Sequence, residues 1–178
     1  MSNTNKIVFK GLLIVAWLIF VGLCIEAGGL IVNMFFTLYK PDFLDNLYQK
    51  LDLTEMYRDS KPVFFGIYSF ILVIATLKAY LFYVVVRLMH NLDLSNPFNS
   101  AVSAQISSIG YNTISIGFLG LIAGQVTGNL DHYGFVPESL NQFWSDSQAF
   151  ILMGAVIYII ATIFRKGVEL QSENDLTV

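Results

Sequence analysis

The stretch VFFGIYSFILVIATLKAYLFYVVVRLMH, residues 63–90, decides the fold class of this chain. It is long and apolar enough to cross a bilayer, since a spanning helix needs roughly 20 mostly apolar residues. One charge, Lys78, lies well inside the stretch, and Arg87 and His90 lie close to its end. Three further apolar stretches of this kind occur in the chain, so the sequence predicts an integral membrane protein.

The composition agrees with a membrane protein and gives no sign of a surface for nucleic acid. Hydrophobic residues make up 55% of the 178 residues and charged residues only 13%, about half of the roughly 25% usual in soluble domains. The formal net charge is −3, so we expect no direct contact with nucleic acid, which binds to basic surfaces. A single cysteine, Cys24, leaves no possibility of an internal disulfide.

We predict one integral membrane domain over residues 1–178, with an all-α fold that forms a four-helix transmembrane bundle. The predicted spans are residues 11–36, 63–89, 104–127 and 148–164, followed by a polar tail at 165–178. Apolar residues at helical spacing in the loop after span 1 predict a short amphipathic helix in this first outer loop. Four spans place both termini on one side, and the basic residues near the span ends favour the cytoplasm.

A stripe of glycines in span 3 predicts close helix packing. Gly120, Gly124 and Gly128 are four residues apart, and Gly117 extends the same face. Small residues at this spacing let helix backbones approach each other closely in lipid. Contact between helices of one chain is the first interpretation, and a homo-oligomer is the second.

Three polar side chains inside the spans are candidates for an intramembrane site: Glu26, Lys78 and Asn112. Ionisable residues within the membrane are functional candidates by default. Glu26 lies on a small-residue stripe of span 1, so we expect it to face protein; a structural carboxyl near the interface is the alternative. Lys78 is its candidate partner, but its own helix face is otherwise apolar and its side chain can instead extend toward a headgroup.

We find no catalytic motif, cofactor-binding motif or metal-ligand spacing in the chain. The sequence therefore predicts a protein that is not an enzyme and that needs no cofactor and no metal. A membrane enzyme is the least favoured interpretation, since its carboxylates are scattered along the chain.

Two features of this four-span chain resemble a known family. One is Asn96-Pro97-Phe98 between spans 2 and 3, and the other is the ending GVELQSENDLTV, residues 167–178. Together they resemble the YoaS-like bacterial membrane proteins, a domain of unknown function. The resemblance implies a multi-pass protein of the bacterial cytoplasmic (inner) membrane. Members are often encoded beside a small helix-turn-helix regulator, so the resemblance also implies a cytoplasmic partner of that class, and it supplies no catalytic residues.

The sequence favours a non-enzymatic regulatory or interaction protein embedded in the lipid bilayer. Its predicted contact surface combines the loop at residues 92–105 with the tail at residues 167–178. The candidate contact residues are Asn96, Pro97, Phe98, Glu169, Gln171, Glu173 and Asp175. The alternative is a small transporter or channel component that uses the three intramembrane polar residues as a path.

Overall fold

The computed structural model describes residues 3–39, 53–92, 98–131 and 138–175. Within these ranges, four helices are long and apolar enough to cross a membrane: α1 (Asn3–Tyr39), α3 (Lys61–Asn91), α4 (Ser100–Asp131) and α5 (Ser147–Asp175). Two shorter elements connect them: α2 (Thr54–Asp59) and a 3₁₀ helix (Glu138–Phe143). The prediction of an all-helical fold with four candidate membrane spans is therefore confirmed over the described residues. The amphipathic helix expected in the first outer loop rests on residues 43–51, which lie outside them.

Local features mark the start and end of α3 and the start of α4. Pro62 occupies the first turn of α3, where its missing N–H costs nothing and its fixed φ suits a helix. The backbone turns extended at Leu92, directly after α3. The Asn99 side chain accepts a hydrogen bond of 2.8 Å from the Val102 N–H, which is the bond of an N-cap residue and sets the start of α4.

The end of α5 lies further along the chain than the end of the predicted apolar span. The apolar segment closes at Phe164, but the helix continues to Asp175. Basic residues end an apolar segment without ending a helix, because lysine, arginine and glutamate are all good helix formers. Lys166 also donates to Glu169 three residues on, a spacing that supports a helix.

Neighbouring helices run antiparallel. On α1 and α3, the rings of Trp17 and His90 lie 6.3 Å apart, whereas further along α1 the Leu30 carbonyl accepts a hydrogen bond of 2.8 Å from the Tyr68 hydroxyl. On α4 and α5, Ile114 lies against Gly154, and Gly117, further along α4, lies against Ile151, which precedes Gly154 in α5. Ile74 shares a cavity with Ile116, while Arg87 shares another with Ala101, so α3 and α4 are antiparallel too.

The four long helices form a row in the order α1, α3, α4, α5. Extensive contacts join α1 with α3, α3 with α4, and α4 with α5, so α1 and α5 lie at the two edges. This arrangement is more open than the bundle that the sequence predicts. Most large apolar side chains of α1, such as Leu18 and Ile25, are exposed. Because lipid tails are as apolar as leucine, α1 needs no second helix to cover its outer face.

The core is centred on α3, which lies inside the row. Its side chains Phe64, Ile67 and Ile71 are almost completely buried. Leu53, the residue before α2, and Met56 of α2 close the core near the start of α3. The core therefore holds α3 firmly, and α3 in turn positions the residues of α4 that face it.

Candidate functional site

One end of the molecule collects several of the residues that the sequence predicts for partner contact. The antiparallel order places the start of α1, the α3–α4 connection and the end of α5 at this end. We call it the terminal end. Its candidate residues come from the short segment before α4 and from the last three turns of α5.

Phe98 joins these two segments. Its ring centroid lies 5.3 Å from that of Phe164. A Cβ atom added to Gly167 would lie 2.5 Å from Cδ1 and 2.7 Å from Cε1 of Phe98. The ring therefore lies directly on the α5 backbone, in a space that only a glycine leaves. This packing holds the segment before α4 against α5 just beyond the apolar segment of α5.

The polar part of α5 presents an exposed face beside this contact. Lys166, Glu169, Leu170 and Glu173 are all exposed, and their spacing places them on neighbouring turns of the helix. Leu170 is 62% exposed and Phe98 is 40% exposed, so the face combines apolar and charged side chains. We call these five residues the terminal surface.

The structure distributes the remaining predicted contact residues as follows. Gln171 is half-buried, and Asp175 is the last residue of α5. Asn96 and Pro97 lie outside the described residues. Three of the predicted seven, Phe98, Glu169 and Glu173, thus belong to the terminal surface. Lys166 and Leu170 belong to it as well, although they are not among the predicted contact residues. Their position in the predicted tail at residues 165–178 could have indicated them.

Lys78 points away from the helix that carries its expected partner. Its Nζ lies 5.5 Å from the centroid of the Phe150 ring on α5. It also lines a cavity of about 10 Å³ together with Asp146 and Ser147, about the space of one water molecule. Within the described residues, no ion pair joins Glu26 and Lys78; the ion pair that the structure shows is Lys166–Glu169.

The three intramembrane candidates are not gathered into one site. The Asn112 side-chain amide donates to the backbone carbonyl of Ser108 at 2.8 Å and to its hydroxyl at 3.3 Å, so it bonds to its own helix. Glu26 is half-buried on α1. The cavity beside Lys78 touches neither of them.

The predicted glycines lie where α4 meets α5, with one exception. An added Cβ would lie 2.8 Å from the Ser147 carbonyl oxygen at Gly117, would overlap the Ser147 hydroxyl at Gly120, and would lie 3.2 Å from Trp144 at Gly124. The space around Gly128 is open to 4 Å. These contacts are within one chain, which is the first of the two interpretations of the stripe.

Two further glycines, Gly110 of α4 and Gly154 of α5, lie in the same interface but are not part of the predicted stripe. Gly154 of α5 lies against Ile114, and an added Cβ there would come within 3.3 Å of the Gly110 carbonyl oxygen. The available signal was a spacing of seven residues from Gly110 to Gly117 and on to Gly124, since a seven-residue repeat keeps small residues facing a neighbouring helix.

No grouping of three histidine, cysteine, aspartate or glutamate side chains that could hold a metal ion occurs among the described residues. The terminal surface offers the Lys166–Glu169 pair and the exposed apolar side chains of Leu170 and Phe98. Such groups suit the binding of another macromolecule.

Comparison with known proteins identifies a family. No curated protein and no solved structure matches the chain. A family model described as "Protein of unknown function (DUF2975)" matches residues 46–178. This range contains α2 to α5 and the terminal surface, and it leaves α1 outside. The match confirms an uncharacterised domain family, and the narrower YoaS-like name is not part of it. The chain belongs to the DUF2975 family of proteins of unknown function.

Proposed function

We propose that this chain is a multi-pass protein of the bacterial cytoplasmic membrane that acts by binding another protein at its terminal surface and has no catalytic activity. Both termini are cytoplasmic in this proposal. The observation that carries it is the packing of Phe98 on Phe164 and Gly167. This contact turns two segments that are distant in sequence into one continuous surface.

The shape of α5 supports a role in binding. The helix extends from Phe164 to Asp175 beyond the apolar segment, which is about 16 Å at 1.5 Å per residue. A preformed helix loses less conformational freedom on association than a flexible tail does. The terminal surface therefore needs little ordering when a partner binds.

The side chains of the surface support a soluble protein as the partner. Leu170 offers apolar area surrounded by charged groups. Interfaces of this kind draw their free energy from a few central side chains and their specificity from the charged rim. The resemblance of residues 96–98 and 167–178 to the YoaS-like proteins favours a small helix-turn-helix regulator as this partner.

The test is affinity purification of the full chain from native membranes, with Leu170→Asn as the test variant. Ile7→Asn is the matched control, because Ile7 is also an exposed apolar residue, 70% exposed, near the start of α1 and outside the terminal surface. We expect Leu170→Asn to reduce recovery of the partner about tenfold, the effect of losing one central side chain. Ile7→Asn should leave recovery unchanged.

The recovered partner is then assayed for DNA binding in a gel-shift experiment. A partner that binds DNA supports the helix-turn-helix assignment, and one that does not removes that part of the proposal alone. If both variants retain the partner equally, or if the wild-type chain recovers no protein in stoichiometric amount, binding at the terminal surface is wrong.

The transporter alternative lacks a comparable observation. A polar path needs its groups next to one another, whereas Asn112 bonds to its own helix and Lys78 contacts Phe150. The cavity beside Lys78 has room for about one water molecule. We therefore keep the interaction role as the proposal.

A further inference from the structure

A cleft opens between the last turns of α3 and the first turns of α4. Its volume is about 290 Å³, just below the roughly 300–1,000 Å³ typical of ligand pockets. Ala101 and Ala104 line the α4 side, and their small side chains leave space between the two helices there. The cleft is distinct from the terminal surface, because none of the terminal-surface residues lines it.

Polar side chains line this cleft even though apolar residues flank it. The guanidinium of Arg87 and the amide of Asn91 come from α3, and the amide of Gln105 and the hydroxyl of Ser108 come from α4. Gln105 lines the cleft and is only 8% exposed, and its buried Oε1 has no hydrogen-bond partner among the described residues. A buried polar atom without a partner is unfavourable, so the Gln105 amide is available to bind a ligand in the cleft beside it.

The Gln105 amide can reach a ligand without a backbone change. The terminal torsion of a glutamine side chain is broad and soft, so its amide can turn toward the cleft that it lines. Either its carbonyl oxygen or its NH₂ group can then bond to the ligand.

The charge of the cleft selects an anion. Among the described residues that line it, Arg87 carries the one charge and none is a carboxylate. Within the part of the chain that the structure describes, Arg87 also has no ion-pair partner. The N-terminal turns of α4 at Ala101 and Ala104 add the positive end of a helix dipole. A guanidinium binds phosphate through two parallel hydrogen bonds, and the amides can bond to neighbouring hydroxyl groups.

We propose that this cleft binds the phosphate group of an anionic ligand, either an anionic phospholipid headgroup or a soluble phosphate ester. Arg87 binds the phosphate, and Gln105 and Asn91 bind the hydroxyl groups next to it. Arg87 lies four residues before the end of α3, about 6 Å along the helix axis. Long basic side chains near helix ends reach lipid headgroups, and basic pockets between membrane helices bind anionic headgroups. The inference is independent of the proposed function.

The experiment measures binding to the purified full chain in a neutral detergent by calorimetry. The probes are dioctanoyl phosphatidylglycerol, dioctanoyl phosphatidylethanolamine, glycerol 3-phosphate and inorganic phosphate. Arg87→Gln tests the phosphate contact. Arg165→Gln is the matched control, because Arg165 is also exposed, lies at the same end of the molecule and does not line the cleft.

We expect saturable binding of phosphatidylglycerol and much weaker binding of phosphatidylethanolamine, because none of the described lining residues is a carboxylate that could bind its ammonium group. Arg87→Gln should weaken phosphatidylglycerol binding by about 10- to 100-fold, the loss of a charge-assisted bidentate contact. Arg165→Gln should change it by less than about twofold, as expected of a screened surface charge.

Gln105→Leu separates a ligand contact from a structural role. Removing a buried polar atom that has no partner should leave the unfolding temperature of the free protein unchanged or raise it. The same variant should weaken ligand binding several-fold. A residue that only stabilises the fold would lower the unfolding temperature instead, and that result would remove Gln105 from the site.

The probes also distinguish the two sources of phosphate. Binding of glycerol 3-phosphate or inorganic phosphate that depends on Arg87, without binding of the lipid, supports the site and assigns it to a soluble ester. Equal losses in Arg87→Gln and Arg165→Gln, equal binding of the two lipids, or no saturable binding of any probe overturns the proposal.

Discussion

The backbones of α4 and α5 lie close together at Gly117, and this contact supports a quantitative prediction. A Cβ atom at this position would lie 2.8 Å from the Ser147 carbonyl oxygen and 2.9 Å from the Ile151 amide nitrogen. Both are backbone atoms of α5, so no side-chain rotation can relieve the contact. Gly117→Ala must therefore move α4 and α5 apart.

The size of the effect follows from these distances. The contact with Ser147 is 0.6 Å shorter than the 3.4 Å at which ordinary van der Waals contact begins. Overpacking of this kind costs about 1–3 kcal/mol. Replacing a helical glycine by alanine also returns up to about 1 kcal/mol through helix propensity. Gly128→Ala isolates the packing term, because Gly128 is in the same helix with open space around it, and we expect it to be neutral or stabilising.

The measurement is unfolding by sodium dodecyl sulfate in mixed micelles, followed by circular dichroism and by tryptophan fluorescence. Trp144 reports on this interface, since it lies beside Gly124. We expect Gly117→Ala to have a free energy of unfolding about 1–3 kcal/mol below that of Gly128→Ala. A difference below about 0.5 kcal/mol, the usual error of such comparisons, would refute the close approach of α4 and α5.

Three other predictions concern α1, the middle of α3 and the end of α5. Tyr68→Phe removes a hydroxyl that donates to an α1 carbonyl at 2.8 Å and should lower the free energy of unfolding by about 0.5–1.5 kcal/mol in the same titration; an unchanged value would contradict the bond. Lys78→Met should raise the free energy of unfolding. A charge at mid-membrane costs roughly 2.5–3.5 kcal/mol, whereas the cation–π contact with the Phe150 ring returns roughly 0.5–2 kcal/mol. A decrease in the free energy of unfolding would contradict this prediction and indicate that Lys78 has a more stabilising contact than the Phe150 ring. Ser172→Cys, in a Cys24→Ala background, should react with a membrane-impermeant maleimide only after the cells are permeabilised, and labelling of intact cells would place the end of α5 outside the cytoplasm.

The long helices could be predicted from the sequence because the thickness of the bilayer sets their minimum length. The stretch at residues 63–90 lies entirely within α3, Lys61–Asn91. The helix itself begins and ends outside the apolar segment in each case, since backbone hydrogen bonding continues wherever the local residues favour it. The clearest instance is α5, where the polar residues after Phe164 remain helical.

The arrangement of the helices could not be predicted in the same way. Hydropathy identifies which residues enter the membrane but not which faces meet, because lipid and apolar side chains are equivalent surroundings. For that reason the sequence offers two interpretations of Lys78, a pair with Glu26 on α1 or a side chain that extends toward a headgroup. The structure turns it toward Phe150 and Asp146 on the α5 side. The glycine stripe carries more information, because close backbone approach depends on small residues, and three of its four members lie against α5 or the turn that leads into it.

Neither proposed site contains a residue of α1, so the role of α1 differs from the binding roles of the terminal surface and the cleft. The terminal surface uses Phe98 and α5, and the cleft uses α3 and α4, all inside the residues 46–178 that the family model matches. The extensive contacts of α1 are with α3, and its Leu30 carbonyl bonds to the Tyr68 hydroxyl. Without α1, that hydroxyl would lose this acceptor, which is costly for a buried polar group. We infer that α1 serves to cover and fix α3, so that the cleft keeps its shape and α4 keeps the alignment on which the terminal surface depends.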